Sequence, residues 1–243
     1  RREVKDEANL TFSHTVESVS SPEAMAFQRE KFTPRIDRLA AALEKPLVDA
    51  VVLDIGIGYG SFLQILEHDY GVNQVFGMDP FPKSLELARQ NTGADLRKGD
   101  IDERQWPFAL GQFDAITCYD VIEHLTVPAM FFVRARRYLQ DGGLLLATTP
   151  NKLLPYHMRK LPLVGIPDRN PTHINVRVPE YWRRLATATG YSIVEEWMGE
   201  HLSHVRHVPR LLGAALEKLG FDPREVIGLN HFQQSFCLLL RKH

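Results

Sequence analysis

From Val51 onward, short apolar runs alternate with amphipathic stretches, the pattern of a parallel sheet whose crossovers are helices. The apolar runs predict strands over Val51 to Ile55, Gln74 to Met78, Asp95 to Lys98, Phe113 to Tyr119, Gly143 to Thr149, Ser192 to Met198 and Gln234 to Arg241. Helical spacing predicts Gly60 to His68, with Phe62, Leu63, Ile65 and Leu66 inward, then Pro82 to Asn91, Val127 to Leu139 and Pro179 to Thr189. Gly142-Gly143 and Gly190 read as left-handed helix stops. No crossover helix leads cleanly into the last strand, because Phe221-Asp222-Pro223 and a long segment intervene, so that strand is expected to run antiparallel. The fold class is α/β.

Three segments fall outside the alternation. Residues 1–50 join a polar start to a helical pattern from Pro22 to Leu43, with Met25, Phe27, Phe32, Ile36, Leu39 and Leu43 apolar, either a cap over a ligand or a packing helix. Residues 150–178 form a proline-rich insertion after the fifth strand, where binding loops concentrate. The insertion is basic: Lys152, Arg159, Lys160, Arg169 and Arg177, followed by Arg183-Arg184, face only Asp168 and Glu180. Residues 201–232 hold a helical segment headed by His201, His204 and His207, which lack a cysteine or a helically spaced acid to complete a zinc set.

At 243 residues and 44% hydrophobic, the chain fits one domain carrying these additions. A formal net charge of -1 gives no global field to hold a polyanion. That argues against nucleic acid and favours a small-molecule substrate, and the basic insertion suits an anionic or glycosylated one, unless it is simply a solvated face. Cys118 and Cys237 lie within strands and are expected to be reduced core thiols of a cytoplasmic protein. No apolar run approaches the roughly 18 residues of a membrane span, and the N-terminal stretch lacks the apolar core of a signal peptide.

The chemistry concentrates where the first strand turns into the first helix of the alternation. Asp54-x-Gly56-x-Gly58-x-Gly60 builds a shelf on which backbone can approach a ligand. A dinucleotide fingerprint would need glycine at 61, which is Ser61, and no Gly-Lys-Ser/Thr follows to make a P-loop. An acid inside the loop would repel a pyrophosphate and suits a ligand bearing an amine and a sulfonium. Asp79 ends the second strand, the position from which a carboxylate accepts both hydroxyls of a ribose. Asp100-Ile101 ends the third, suited to an adenine amine and its face, although either acid alone could be an ordinary turn residue.

With these motifs, Val51 to Thr149 resembles the class I methyltransferases, particularly the group that includes the ubiquinone-biosynthesis O-methyltransferases. The resemblance is carried by Leu53-Asp54-Ile55-Gly56-Ile57-Gly58-Tyr59-Gly60, Gly77-Met78-Asp79, Gly99-Asp100-Ile101, Phe113-Asp114-Ala115-Ile116 and Asp120-Val121-Ile122-Glu123-His124-Leu125. It implies a Rossmann-like seven-stranded sheet in the order 3-2-1-4-5-7-6 and bound S-adenosylmethionine. By residue match it implies Asp54 and Gly56 along the methionine part, Asp79 at the ribose, Asp100 and Ile101 at the adenine, and Tyr119 and Asp120 near the sulfur.

Methyl transfer to a hydroxyl also needs alignment and removal of a proton. Candidates are Glu123, His124 and His173, beyond the fourth and fifth strands. Three readings stay open for Asp120-x-x-Glu123-His124. It is a capping box with Asp120 as N-cap, an acid/base group, or, with His173, a shell for magnesium or another divalent cation. Small-RNA 2'-O-methyltransferases and ubiquinone-pathway enzymes resemble the last with Glu-x-x-Glu-His, from which Asp120 departs. RNA 2'-O-methylation, and a module that binds cofactor without turnover, are the alternatives to small-molecule O-methylation.

Overall fold

The computed structural model describes residues 21–150, 172–199 and 235–243. Seven strands form one sheet in the order β3-β2-β1-β4-β5-β7-β6. They are β1 (Val51–Ile55), β2 (Gln74–Asp79), β3 (Asp95–Lys98), β4 (Phe113–Tyr119), β5 (Leu139–Pro150), β6 (Tyr191–Met198) and β7 (Ser235–Lys242). β1 to β5 pair in parallel, and β7 runs antiparallel to both β5 and β6. The expected fold class, strand order and reversed last strand are all present.

The helices are α1 (Pro22–Ala42), α2 (Ser61–His68), α3 (Pro82–Ala88), α4 (Pro128–Tyr138) and α5 (Pro179–Ala188), with 3-10 turns at Leu47–Asp49 and Ile122–His124. Ser21 caps α1 by accepting from the Ala24 N–H. Phe62, Leu63, Ile65 and Leu66 are the buried face of α2, as their spacing predicts. α1, α2 and α3 cover one face of the sheet, with Phe32, Ile36 and Leu39 against Val52, Leu144 and Leu146. α4, α5 and Trp106 cover the other, against Leu53, Ile116 and Leu145. β4 lies between them, buried along its whole length.

One helix stop differs from the sequence reading. α4 ends at Tyr138 on an extended Leu139, which already pairs with Phe113, so Gly142 makes its left-handed turn inside the β5 segment. Gly190, with φ 89°, does follow the end of α5. Cys118 and Cys237 are both buried. Among the described residues, no helix is long and apolar enough to cross a membrane. The basic positions 152–169, the helical segment 201–232 and residues 1–20 lie outside the described residues.

Candidate active site

The C-terminal edge of the parallel strands gathers most of the expected site residues. Gly56, Gly58 and Gly60 all adopt positive φ, at 78°, 53° and 78°. Their surroundings differ. A Cβ on Gly56 would stand 2.4 Å from Val121 Cγ2 and one on Gly60 3.0 Å from Ala88 Cβ, whereas one on Gly58 would meet nothing within 4 Å. Gly56 and Gly60 are therefore small for packing as well as backbone, while Gly58 borders open space.

Asp54 is 3% exposed and accepts a 2.6 Å hydrogen bond from Thr117 Oγ1. Burial pushes its carboxyl up to about 7, against the pull of the Thr117 hydroxyl, and neighbouring Asp79 adds to the rise. Asp79 accepts from the Phe81 N–H at 2.9 Å, and is linked to the Gly58 backbone and the Ser84 side chain. Burial pushes it up to about 6. Two adjoining acids, both held partly neutral by desolvation, is a costly arrangement that a cationic ligand would relieve. At the end of β3, Asp100 Oδ1 accepts from the Asp102 N–H at 2.9 Å, and Ile101 packs into the core beside Trp106.

At the end of β4, Asp120 is the one non-glycine residue of positive φ among those described, at 54°. Its N–H and carboxylate both bind Thr148, and Oδ2 pairs with Lys31 Nζ at 3.2 Å. Burial would raise this carboxyl, but Lys31, Arg35 and the Thr148 hydroxyl outweigh it and hold it below the usual range. The capping box is overturned: no side chain caps the Ile122–His124 turn, whose preceding residue is Val121, and the Asp120 carboxylate is turned to Lys31 and Thr148.

Sequence reasoning missed Lys31 and Arg35 of α1. Arg35 is 2% exposed, stacked over the rings of Tyr119 (5.3 Å) and Phe32 (5.9 Å). Its Nη1 and the Tyr119 hydroxyl are buried without a hydrogen-bond partner among the described residues. A signal existed: Arg35 lies three residues after Phe32 and four before Leu39, on the apolar stripe of the helix.

On the other side of β4, the structure brings together Glu123, His124 and His173. Glu123 is fully buried, and its Oε1 lies 3.9 Å from both His124 Nε2 and His173 Nε2. The two imidazole rings meet edge to face at 4.7 Å. One ligand atom from each of the three lies within 4.8 Å of the others, so the set could hold a metal ion. Asp120 is not part of it. The described basic residues beyond are paired: Arg177 with Asn175 and the Tyr181 ring, Arg183 with Glu196 and Glu180, and Arg184 with Glu180. His201, His204 and His207 lie outside the described residues.

A family profile described as a methyltransferase domain matches residues 24–196. The ubiquinone biosynthesis O-methyltransferase of Dechloromonas aromatica is 32% identical over 127 residues, 49% of this chain and 51% of that protein. The protein of the same name from Xanthomonas oryzae pv. oryzae is 30% identical over 123 residues, 49% of each. The match thus spans about half the length of these curated relatives. The solved structure of an S-adenosylmethionine dependent methyltransferase from Mesorhizobium loti shares the fold, with a TM-score of 0.58 at 19% identity, over 85% of this chain and 96% of that one.

Proposed function

The chain belongs to the class I S-adenosylmethionine-dependent methyltransferases, and on that premise we propose that it moves the methyl group of S-adenosylmethionine to a hydroxyl oxygen of a small molecule. The observation that carries the acceptor chemistry is the cluster of Glu123, His124 and His173 just past the end of β4.

On this reading the cofactor lies over Gly56, Gly58 and Gly60, with Asp79 at its ribose hydroxyls and Asp100 and Ile101 at the adenine. Its ammonium and sulfonium are drawn by Asp54, with Tyr119 and Asp120 at the sulfur end. Arg35 Nη1 and the Tyr119 hydroxyl, buried without a partner among the described residues, would hold its carboxylate. α1 is then a cap as well as a packing helix, within a single domain. Proximity and orientation do much of the work, since the displacement needs the acceptor oxygen in line with the carbon–sulfur bond. When bound, S-adenosylmethionine would supply the methyl group, its carbon–sulfur bond breaking as the oxygen–carbon bond forms and the neutral thioether leaving; His173 or His124 would take the acceptor proton, and the Glu123 carboxylate would stabilise the resulting imidazolium.

The same donors also fit a divalent cation, because three ligand atoms of suitable type converge. Two imidazoles and one carboxylate favour zinc, manganese or iron over magnesium. Such an ion would polarise the acceptor oxygen. Chelation followed by metal re-addition separates the readings: activity lost and restored supports the ion, and activity unchanged leaves the histidines working alone.

The functional test supplies tritiated-methyl cofactor with small-molecule and RNA pools. Label in a small molecule is expected, and label only in RNA would overturn the proposal. His173→Ala should abolish transfer while cofactor affinity survives; full retained activity would remove His173 from the mechanism. Binding without transfer to any acceptor would instead favour a non-catalytic module.

A further inference from the structure

The described chain resumes at Thr172, and between there and Asn175 it is stitched to the Ile122–His124 turn. The Asn175 N–H donates to the Glu123 carbonyl at 2.8 Å, and Asn175 Nδ2 donates to the Leu125 carbonyl. Asn175 Oδ1 accepts from Arg177 at 2.9 Å and 3.2 Å, which fixes which end of the amide faces the turn. Asn175 is 7% exposed. His124 Nδ1 in turn lies 3.1 Å from the Thr172 carbonyl oxygen and 2.9 Å from its Oγ1.

We infer that Asn175 and Thr172 are positioning residues: Asn175 docks the segment that carries His173, and the docked Thr172 carbonyl holds His124 in the Nδ1–H tautomer, making Nε2 its basic nitrogen. The Thr172 carbonyl oxygen only accepts and its hydroxyl oxygen can accept as well as donate, so hydrogen on Nδ1 suits both contacts, whereas a bare Nδ1 would set its lone pair against the carbonyl oxygen at 3.1 Å; in a neutral imidazole the lone pair is then on the other nitrogen. That nitrogen is the one facing Glu123. Docking therefore does two things at once. It brings His173 to within 3.9 Å of Glu123, and it orients His124 to take a proton or to ligate a cation. Without it, His124 would lose the contact that keeps hydrogen on Nδ1. The proposed cofactor residues, at the ends of β1 to β4 and on α1, include none from 172–175.

The inference rests on reading Glu123, His124 and His173 as the acceptor end, but its test does not use activity. Long-range proton–nitrogen spectra of chelator-treated protein labelled with nitrogen-15 histidine, at mildly basic pH, report the tautomer. His124→Gln identifies the signal. The expected result is Nδ1–H for His124 in the wild-type protein. In Asn175→Ala, and in Asn175→Asp, whose carboxylate cannot donate to Leu125, the signal should move to a tautomer average while affinity for S-adenosylhomocysteine is unchanged. An Nε2–H signal in the wild type overturns the inference, as does a native tautomer in a folded Asn175 variant. If neither variant folds, the wild-type spectrum decides alone. Failure of the catalytic reading looks different: His173→Ala would keep full methyl transfer while the wild-type tautomer stayed Nδ1–H.

Discussion

Asp54 keeps a carboxyl at 3% exposure with Thr117 as its side-chain donor, and the cost appears as a carboxyl raised from 3.8 to about 7. The folded state binds this proton more tightly than the unfolded state does. The stability so gained is fully present below about pH 4 and is lost as pH rises towards about 7. Asp54→Asn keeps an acceptor for Thr117 and has no charge to desolvate. Thermal melts of ligand-free protein should show the variant gaining on the wild type between about pH 5 and pH 8, by on the order of a few kcal/mol, while cofactor binding collapses. Parallel melting curves would contradict the burial argument. Asp54 and Asp79 were legible because strand ends announce themselves in the sequence. Asp120 was singled out too, but not its conformation: its left-handed backbone and its turn to Lys31 depend on Thr148, on the neighbouring strand.

The β1–α2 connection needs small residues for reasons that separate experimentally. Gly56→Ala combines left-handed strain with a Cβ 2.4 Å from Val121 Cγ2, and should cost roughly 2 kcal/mol or more of stability. Gly58→Ala meets no neighbour, and should cost about 1 kcal/mol from strain alone, while its methyl would intrude on the proposed cofactor. Melts and binding measured together should show Gly56→Ala the less stable, and Gly58→Ala weakened in cofactor binding beyond its small stability loss. Equal stability losses would contradict the packing account. At this scale the sequence was informative: β1 and β4 are nearly continuous apolar runs, as strands covered on both faces must be. It misled at Gly142, because pairing of Leu139 with Phe113 ended α4 before any glycine was reached.

The sheet edge is approached from opposite faces by α1 and by the residues 172–175 docked on the Ile122–His124 turn, with Val121 touching the glycine loop between them. The glycine loop was readable because its residues are neighbours in sequence. The meeting of His173 with Glu123, and of Arg35 with Tyr119, joins segments far apart in the chain, which periodicity alone cannot pair. Arg35 links α1 to the proposed cofactor end, and its replacement separates binding from folding. Arg35→Met removes a buried guanidinium whose Nη1 has no partner among the described residues; relief of its desolvation offsets the lost attraction to Asp120, so the variant should still fold. The decisive measurement is calorimetric titration of S-adenosylmethionine into the wild type and this variant. The account predicts saturable one-to-one binding that tightens from about pH 5.5 to about pH 7 as Asp79 and Asp54 ionise, and that weakens ~10- to 100-fold in Arg35→Met. No saturable binding, or equal affinity in the two proteins, would contradict it.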